Sequence, residues 1–353
     1  MAPFKSSLAK SAGKLFGVFR ERDLSLRGAT QTKRLPPPEP LVVTGGTKYE
    51  PGDGYTYHIF KGSSSQTLVA DRTAGLLLDF CLVGGGGGGA ALQGPGGAAG
   101  SGGGAGGMIY RLNTTITIPT NSNVTVSLGT GGTIAPPAYS VFGTDGGDSV
   151  FTDANGPIVY TSKGGAGGAM YSSPGPGRPG GSGSGSSFNG AAAGASTQGP
   201  SMPVPLRPYG FGNAGGNTGP ASYYDGAGGG GAGGVGSNAH GYPTEPTNGA
   251  GGLGKSTVFL GPKFPGEPTI WKTAVGANGF LAAGGGGGTY SPNVGSPSSY
   301  AGGGGGGGGG PTNNESPASE KAGVDNTGSG GGMGDGGDGV FLIRYLTNNT
   351  PAN

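Results

Sequence analysis

The stretch GGGGGGGGG at residues 302–310 decides the class of fold, and it is the longest of several such runs. Residues 84–89 and 284–288 are also uninterrupted glycine, and glycine accounts for 90 of the 353 residues. Glycine loses more backbone freedom on folding than any other residue. A chain this rich in glycine is therefore expected to fold only if the packing itself requires that side chains be absent, where two backbones approach closely.

The composition excludes several classes of protein. Charged residues make up 11% of the chain, whereas ordinary domains carry about 25%. Collagen requires glycine at every third position, and residues 75–83 break that register. A flexible glycine–serine linker would lack apolar runs between its glycines. The sequence therefore predicts a folded glycine-rich domain.

Short β-type runs are interleaved with the glycine. Their β-branched and aromatic residues predict seven strands, at 55–60, 75–83, 108–112, 114–118, 124–128, 157–162 and 340–346. The glycine tracts between them are expected to form polyglycine II helices, which have about three residues per turn and hydrogen-bond only to neighbouring tracts. The predicted fold is mostly β and irregular: a stack of polyglycine II helices capped by short β-strands, with an amphipathic docking arm at the N-terminus.

The first 40 residues differ from the rest of the chain. Residues 1–34 contain eight basic and two acidic side chains, a net charge of +6, which leaves −4 for the remainder. Apolar residues recur at helical spacing over residues 4–19, and the arm ends in the proline-rich spacer LPPPEP at 35–40. The predicted organisation is a docking arm and spacer (1–40), a linking β segment (41–75), the glycine-rich domain (76–346) and a short tail (347–353). The residues expected to dock the arm are Phe4, Leu8, Leu15, Phe16, Phe19, Arg20, Leu24, Leu26 and Arg27.

No catalytic residue, cofactor or metal site is predicted, and the chain is not expected to be an enzyme. The sequence GAGGLGKS at 249–256 fits a phosphate-binding loop, but it lacks the preceding strand and following helix that such a loop needs, so no nucleotide is expected. The sequence GDGGDG at 334–339 is interpreted as a turn rather than a calcium loop. His58 and His240 lack the partners of a catalytic triad. No run approaches the roughly 20 apolar residues of a membrane helix, so membrane insertion is not expected.

Aromatic residues between the glycine tracts are the candidate binding residues. Aromatic side chains on loops can stack on sugars or anchor a protein contact. The residues chosen on this ground are Tyr209, Phe211, Tyr223, Tyr224 and Trp271. The alternative is that these side chains fill the core or pack against neighbouring subunits.

Five segments, taken in order, resemble the glycine-rich domain found in phage tail fibres and related virion proteins. They are LLDFCLVGGGGGG at 77–89, GGGAGGMIYR at 102–111, VTVSLGTGG at 124–132, GGDSVF at 146–151 and GGDGVFLIRY at 336–345. The resemblance spans about residues 65–346. It implies a non-enzymatic virion component made in the host cytoplasm.

The N-terminal segments 4–20 and 23–31 resemble a leader shared by some structural proteins of marine T4-like cyanophages. This second resemblance implies that residues 1–40 dock onto other virion proteins. The expected function is a tail-fibre or tip module that presents loops to a host-surface polysaccharide or outer-membrane protein. The alternative is a non-adhesive decoration, collar or baseplate-associated protein. The sequence leaves open whether the body is a monomer or a homotrimer.

Overall fold

A computed structural model of the chain describes residues 41–62, 64–71, 74–90, 100–118, 124–135, 141–152, 159–169, 176–187, 190–198, 209–219, 226–239, 249–288, 308 and 322–348. The chain divides into two compact units, Met1–Pro40 and Leu41–Asn353. The predicted amphipathic arm falls in the first unit, outside the described residues, and the architecture below is that of the second.

Eleven β-strands form the regular structure of the described residues. They are β1 (Val43–Thr44), β2 (Thr47–Tyr49), β3 (Tyr55–Phe60), β4 (Gln66–Ala70), β5 (Ala74–Val83), β6 (Met108–Ile118), β7 (Val124–Ser127), β8 (Ser149–Thr152), β9 (Val159–Ser162), β10 (Gly210–Phe211) and β11 (Val340–Leu346). A 3-10 turn at Gly261–Lys263 and one helix, α1 (Thr269–Val275), complete the described elements.

The strands form two antiparallel sheets. The five-stranded sheet has the order β1-β4-β7-β8-β9, and the six-stranded sheet has the order β10-β6-β5-β11-β3-β2. The longest pair, β5 with β6, shifts register between Leu78 and Phe80. Asp79 supports this bulge, because its carboxylate accepts the backbone N–H of Asn113 at 2.8 Å and pairs with Arg344 Nε at 2.8 Å.

The main core lies between the two sheets. Alternate residues of β5 point into it, as period-two geometry requires, and large aromatic rings fill its centre. Phe341 lies 4.8 Å from Phe151 and 5.5 Å from Phe60, and Phe80 lies 5.1 Å from Tyr160, measured between ring centroids. These rings are 0–2% exposed.

A second core covers the other face of the six-stranded sheet. It packs Tyr57 and Cys81 from that sheet against Phe259, Phe264 and Trp271 of the helical segment. Cys81 is fully buried and packs there as a small hydrophobe. The six-stranded sheet is therefore buried on both faces over the half nearest the glycine tracts.

The glycine segments that leave these strands hydrogen-bond to one another without forming an assigned strand or helix. Along residues 84–89, every third amide donates to the same neighbour. Residues 84 and 87 bond to segment 104–107, residues 85 and 88 to 144–147, and residues 86 and 89 to 334–337. A Cβ added at any of these six glycines would stand 1.7–2.3 Å from a carbonyl oxygen of a neighbouring segment. Glycine is therefore required here because backbones pack within the width of a methyl group.

The fold class predicted from the sequence is wrong in its main element. The regular structure is not a stack of polyglycine II helices capped by short strands but two antiparallel sheets, in which β5 and β6 have 10 and 11 residues. The reason is that the apolar runs pair with one another along their whole length and enclose two aromatic cores. The predicted mostly-β character is confirmed.

Candidate binding face

The glycine segments end together on the side away from the strands. Ala90 N donates to Ser101 O at 3.3 Å, Gly288 N to Gly100 O at 2.8 Å and Gly226 N to Gly288 O at 2.7 Å. Isolated bridges add Ala90 to Ala135, Ser187 to Gly226 and Thr218 to Ala239. We call this group of segment ends the distal end; it comprises Ala90, Gly100, Ala135, Ala169, Ser187, Gly219, Gly226, Ala239, Gly249 and Gly288.

The chain leaves and re-enters the glycine body repeatedly at the distal end. The connecting segments are 91–99, 136–140, 170–175, 188–189, 220–225, 240–248 and 289–321, which lie outside the described residues except for Gly308. Their sequences contain seven of the 14 tyrosines of the chain. These seven are Tyr139, Tyr171, Tyr223, Tyr224, Tyr242, Tyr290 and Tyr300.

The first described residue, Leu41, lies at the opposite end of the body. Val42 O accepts from Asp71 N at 3.0 Å, and β4 continues this ladder to the pair Leu68–Val124. From Val124 the chain runs through β7 and residues 128–135 to the distal end. The body therefore has two distinct ends. Residue 41 lies at one, and the described residues that flank the tyrosine-containing connections lie at the other.

Tyr209 and Phe211, two of the predicted binding residues, lie on neither end. Phe211 is the last residue of β10, the edge strand of the six-stranded sheet, and Tyr209 directly precedes that strand. Both side chains are half-buried. The guanidinium carbon of Arg111 lies 4.7 Å from the centre of the Tyr209 ring, and Lys255 Nζ lies 4.6 Å from that of Phe211. Each ring is thus held by a cation–π contact, which leaves one face of this edge partly accessible.

A family model described as a glycine-rich domain matches residues 62–346, well over half of the chain. The chain belongs to the glycine-rich domain family. The resemblance to a glycine-rich domain, which was inferred from five sequence segments in order, is confirmed. The link between this chain and virion proteins stays a prediction. No curated protein matches the chain.

Trp271 does not have the loop position expected of a binding residue. In the glycine-rich domain it lies on α1 and is 2% exposed. Its indole Nε1–H donates to the backbone oxygen of Asn326 at 2.8 Å, and its ring meets Phe264 edge-on at 5.4 Å. Burial explains the difference, because an indole in the second core gains more from packing than from exposure. Trp271 therefore packs in the second core, which is the alternative that the sequence analysis left open for these aromatic residues.

The other residues predicted to bind a receptor or to dock the arm lie outside the residues that the structure describes. Tyr223 and Tyr224 fall in the connection between Gly219 and Gly226, both at the distal end. The docking residues of the arm lie within residues 1–40. Of the five binding candidates, the structure thus places two at an edge strand and one in the core, and it places only the flanking residues of the other two. Sequence reasoning did not predict that the described residues flanking the segments of Tyr139, Tyr171 and the pair Tyr223–Tyr224 lie at one end of the body. The regular alternation of glycine tracts with short tyrosine segments is the signal that could have found it.

Two pairs of aspartates, each spaced three residues apart, accept hydrogen bonds from backbone amides of the glycine-rich segments. The carboxylates of Asp335 and Asp338 accept backbone amides of residues 131–134 at 2.6 and 2.7 Å. Asp145 and Asp148 accept amides of the next segment at 2.8 Å each. Sequence reasoning interpreted the first pair as part of a turn, but these carboxylates satisfy amides that have no further backbone neighbour.

Two polar clusters tie the helical segment of the glycine-rich domain to the six-stranded sheet. The Glu267 carboxylate, 1% exposed, pairs with Lys61 Nζ at 2.8 Å and accepts from the Tyr49 hydroxyl at 2.9 Å. Burial, together with the hydrogen bond to Glu267, raises the pKa of Tyr49 to about 12. In the second cluster, Lys263 Nζ lies 2.6 Å from Asp53 Oδ2. Both clusters join elements distant in sequence.

Two further findings concern the described residues alone. They contain no group of three His, Cys, Asp or Glu side chains arranged to hold a metal ion. Within the same ranges, no helix combines the length and the hydropathy that crossing a membrane requires.

Proposed function

We propose that this protein is a virion structural protein: a phage tail-fibre or tip module that is attached through its N-terminal arm and presents loops to a receptor on the host surface. The observation that carries the proposal is the two-ended body. Residue 41, where the arm joins, lies at one end, and seven tyrosines belong to connections at the other.

The physical argument rests on the scaffold. Segments that pack backbone against backbone, with hydrogen bonds at 2.9–3.0 Å along residues 84–89, hold the ends of every connection in fixed positions. Loops on a rigid scaffold are the usual carriers of recognition. Tyrosine suits this role because its ring offers an apolar face to a sugar or protein and its hydroxyl a hydrogen bond.

The distal connections are the first candidates for receptor contact, with Tyr223 and Tyr224 foremost among them. Tyr209 and Phe211 form a separate, secondary candidate at the β10 edge. A single tyrosine contact is weak, and several copies on one particle would convert it into avid attachment. Host polysaccharides and outer-membrane proteins both offer surfaces that such contacts fit.

Binding of the fluorescently labelled full chain to bacterial host cells tests the proposal. We expect saturable binding that is lost in the double variant Tyr223→Ala, Tyr224→Ala. The matched control is Leu253→Ala, which removes an exposed apolar side chain, 56% accessible, away from the distal end. The control should bind like the parent. Circular dichroism and thermal melting establish that all three proteins are folded.

Two outcomes would count against the adhesive role. If the folded parent does not bind host cells but is present in virus particles, the protein is a decoration, collar or baseplate-associated component. If the double variant binds as the parent does, the distal pair is not the contact.

A further inference from the structure

We propose that the β10 edge of the glycine-rich domain binds an anionic polysaccharide, a polymer of sugars that carry carboxylate or sulfate groups. This inference rests on the proposed attachment to the host surface, and it names the chemical class of one receptor. Four side chains carry it, those of Arg111, Tyr209, Phe211 and Lys255. We call these four residues the cation–aromatic edge.

The cation–aromatic edge consists of two neighbouring pairs, each made of a ring and a cation. The guanidinium carbon of Arg111 lies 4.7 Å from the centre of the Tyr209 ring, and Lys255 Nζ lies 4.6 Å from that of Phe211. The two rings belong to alternate positions of an extended segment, so about 6.6 Å separates their backbones. All four side chains are partly exposed. The edge therefore offers solvent two positive charges, each beside an aromatic ring.

The two cations lack the acidic partner that most cations of the described residues have. Of the nine lysine and arginine side chains in those residues, six form an ion pair with a carboxylate; these are Lys48, Lys61, Lys163, Arg178, Lys263 and Arg344. A seventh, Lys272, donates to the carbonyl oxygen of Pro265 at 3.1 Å. The remaining two are Arg111 and Lys255, the two cations of the edge.

The environment of Arg111 shows what is missing. Its Nη1 donates to the Tyr160 hydroxyl at 3.1 Å, while its Nε is buried without a hydrogen-bond partner among the described residues. A charge that is partly withdrawn from water without a counterion is costly, and a contact with a ring face offsets only part of that cost. An anion bound at the edge would supply the counterion.

The segments that form the edge add no negative charge. Residues 108–112, 159–163, 209–214 and 255–258 contain three cations and neither aspartate nor glutamate. The third cation, Lys163, pairs with Asp148 of the neighbouring strand β8 region at 2.7 Å. An approaching anion therefore meets two free positive charges and no carboxylate from these segments.

The composition of the edge favours an acidic polysaccharide over a nucleic acid. Nucleic-acid binding requires many phosphate contacts from lysine and arginine, whereas the edge has two cations on a body with a net charge of −4. Aromatic side chains pack on the apolar faces of sugars, and arginine forms charge-assisted hydrogen bonds with acidic groups. A polymer that combines sugar rings with regularly spaced anions can engage both pairs. Two such contacts are weak in one chain, and several copies on a particle strengthen them by avidity.

Isothermal titration calorimetry of the full chain at low ionic strength tests the proposal with two matched pairs of probes. The first pair is a galacturonic acid hexamer and its methyl ester, which has the same backbone without the charges. The second pair is dextran sulfate and dextran. We expect the parent protein to bind at least one charged probe, and to bind its neutral counterpart at least about tenfold more weakly.

The variants assign this binding to the edge. Arg111→Gln and Lys255→Gln should each weaken binding of the charged probe by about fivefold or more, since each removes one charge-assisted contact. The matched control is Lys272→Gln, which makes the same change at a cation outside the edge and should bind like the parent. Thermal melting of each variant reports on folding. If Arg111→Gln melts early because its contact with Tyr160 is lost, Lys255→Gln decides the question.

Several outcomes would overturn the proposal. They are a folded parent that binds neither charged probe, equal binding of a charged probe and its neutral counterpart, or full binding by Lys255→Gln. Equally tight binding of polyglutamate or of poly(dT) would also overturn it, because the edge would then recognise negative charge without sugar. The proposed attachment to host cells is judged separately. A parent that binds cells but no charged probe keeps that role and refutes the edge site, whereas binding of a charged probe without cell binding does the reverse.

Discussion

Replacing Gly87 by alanine should destabilise the body strongly, although it adds only one methyl group. The new Cβ would stand 2.1 Å from the carbonyl oxygen of Ala166, whereas real Cβ atoms keep at least 3.0 Å from other atoms. The neighbouring segment must therefore shift by about 1 Å. That carbonyl accepts the Gly104 amide at 2.8 Å, and Gly104 O accepts Gly87 N at 2.9 Å. One shift thus strains two linked hydrogen bonds.

The expected cost combines two effects. Overpacking costs about 1–3 kcal/mol, and each buried amide that loses its partner adds about 1–3 kcal/mol. With two hydrogen bonds affected, we expect Gly87→Ala to lower the free energy of unfolding by about 3–9 kcal/mol. Differential scanning calorimetry should show a Tm lower by at least about 6 °C, since about 1 kcal/mol corresponds to about 2–4 °C in a large domain.

Gly234 provides the matched control, because it also lies in a glycine segment. A Cβ added there would find its nearest atom, the Leu253 nitrogen, at 3.5 Å, an ordinary contact. Alanine restricts the unfolded chain, so Gly234→Ala should be neutral or stabilise by up to about 1 kcal/mol. Equal melting temperatures for the two variants would refute the claim that close backbone packing is what requires glycine.

Two further predictions concern buried polar groups. Asp79→Ala should destabilise the body by about 3 kcal/mol in urea unfolding, because Arg344 loses its partner and the Asn113 amide its acceptor; no loss would show that the bulge is supported otherwise. Burial lowers the pKa of His58 below its ordinary 6.5, and the ring contacts the Tyr345 hydroxyl at 3.1 Å. The neutral form is therefore favoured in the folded state, so stability should be full above pH 6.5 and fall as the pH drops toward the lowered pKa. His58→Gln should flatten this part of the stability–pH profile, and an unchanged slope would contradict the assignment.

Much of the sheet framework could be predicted from the sequence. The run predicted at residues 75–83 is almost continuously apolar from Leu76 to Val83 and is followed by glycine, and it lies in the long central strand β5. The strands at 55–60, 124–128 and 340–346 were predicted at nearly their observed bounds. Burial on one or both faces gave each of these runs a clear pattern.

Other elements gave weaker signals. Residues 108–118 were predicted as two strands because Asn113 interrupts the alternation; the structure keeps one strand with a bulge, in which Asn113 takes a φ of 50°. The two-residue strands β1 and β10 carry too short a pattern to be predicted, since they pair only because a neighbouring strand presents an open edge.

The arrangement of the glycine segments depends on long-range pairing. Nothing in the run at 84–89 specifies that its three neighbours are segments 104–107, 144–147 and 334–337. The same limit explains why the sequence left the position of Trp271 open between a loop and the core. Its partners Phe264 and Asn326 are separated from each other by 62 positions in the sequence. The local composition favoured a position for Trp271 in an aromatic loop, whereas tertiary contacts place it on a helix in the second core.

Hydrogen–deuterium exchange of the full chain tests most directly the claim that the glycine segments form an ordered scaffold. All six amides of residues 84–89 are buried and donate to backbone carbonyls at 2.9–3.0 Å. Peptides covering these residues should therefore exchange as slowly as those of β5 and β11. Complete exchange of the glycine peptides within seconds, while β5 stays protected, would contradict the scaffold and the two-ended body built on it.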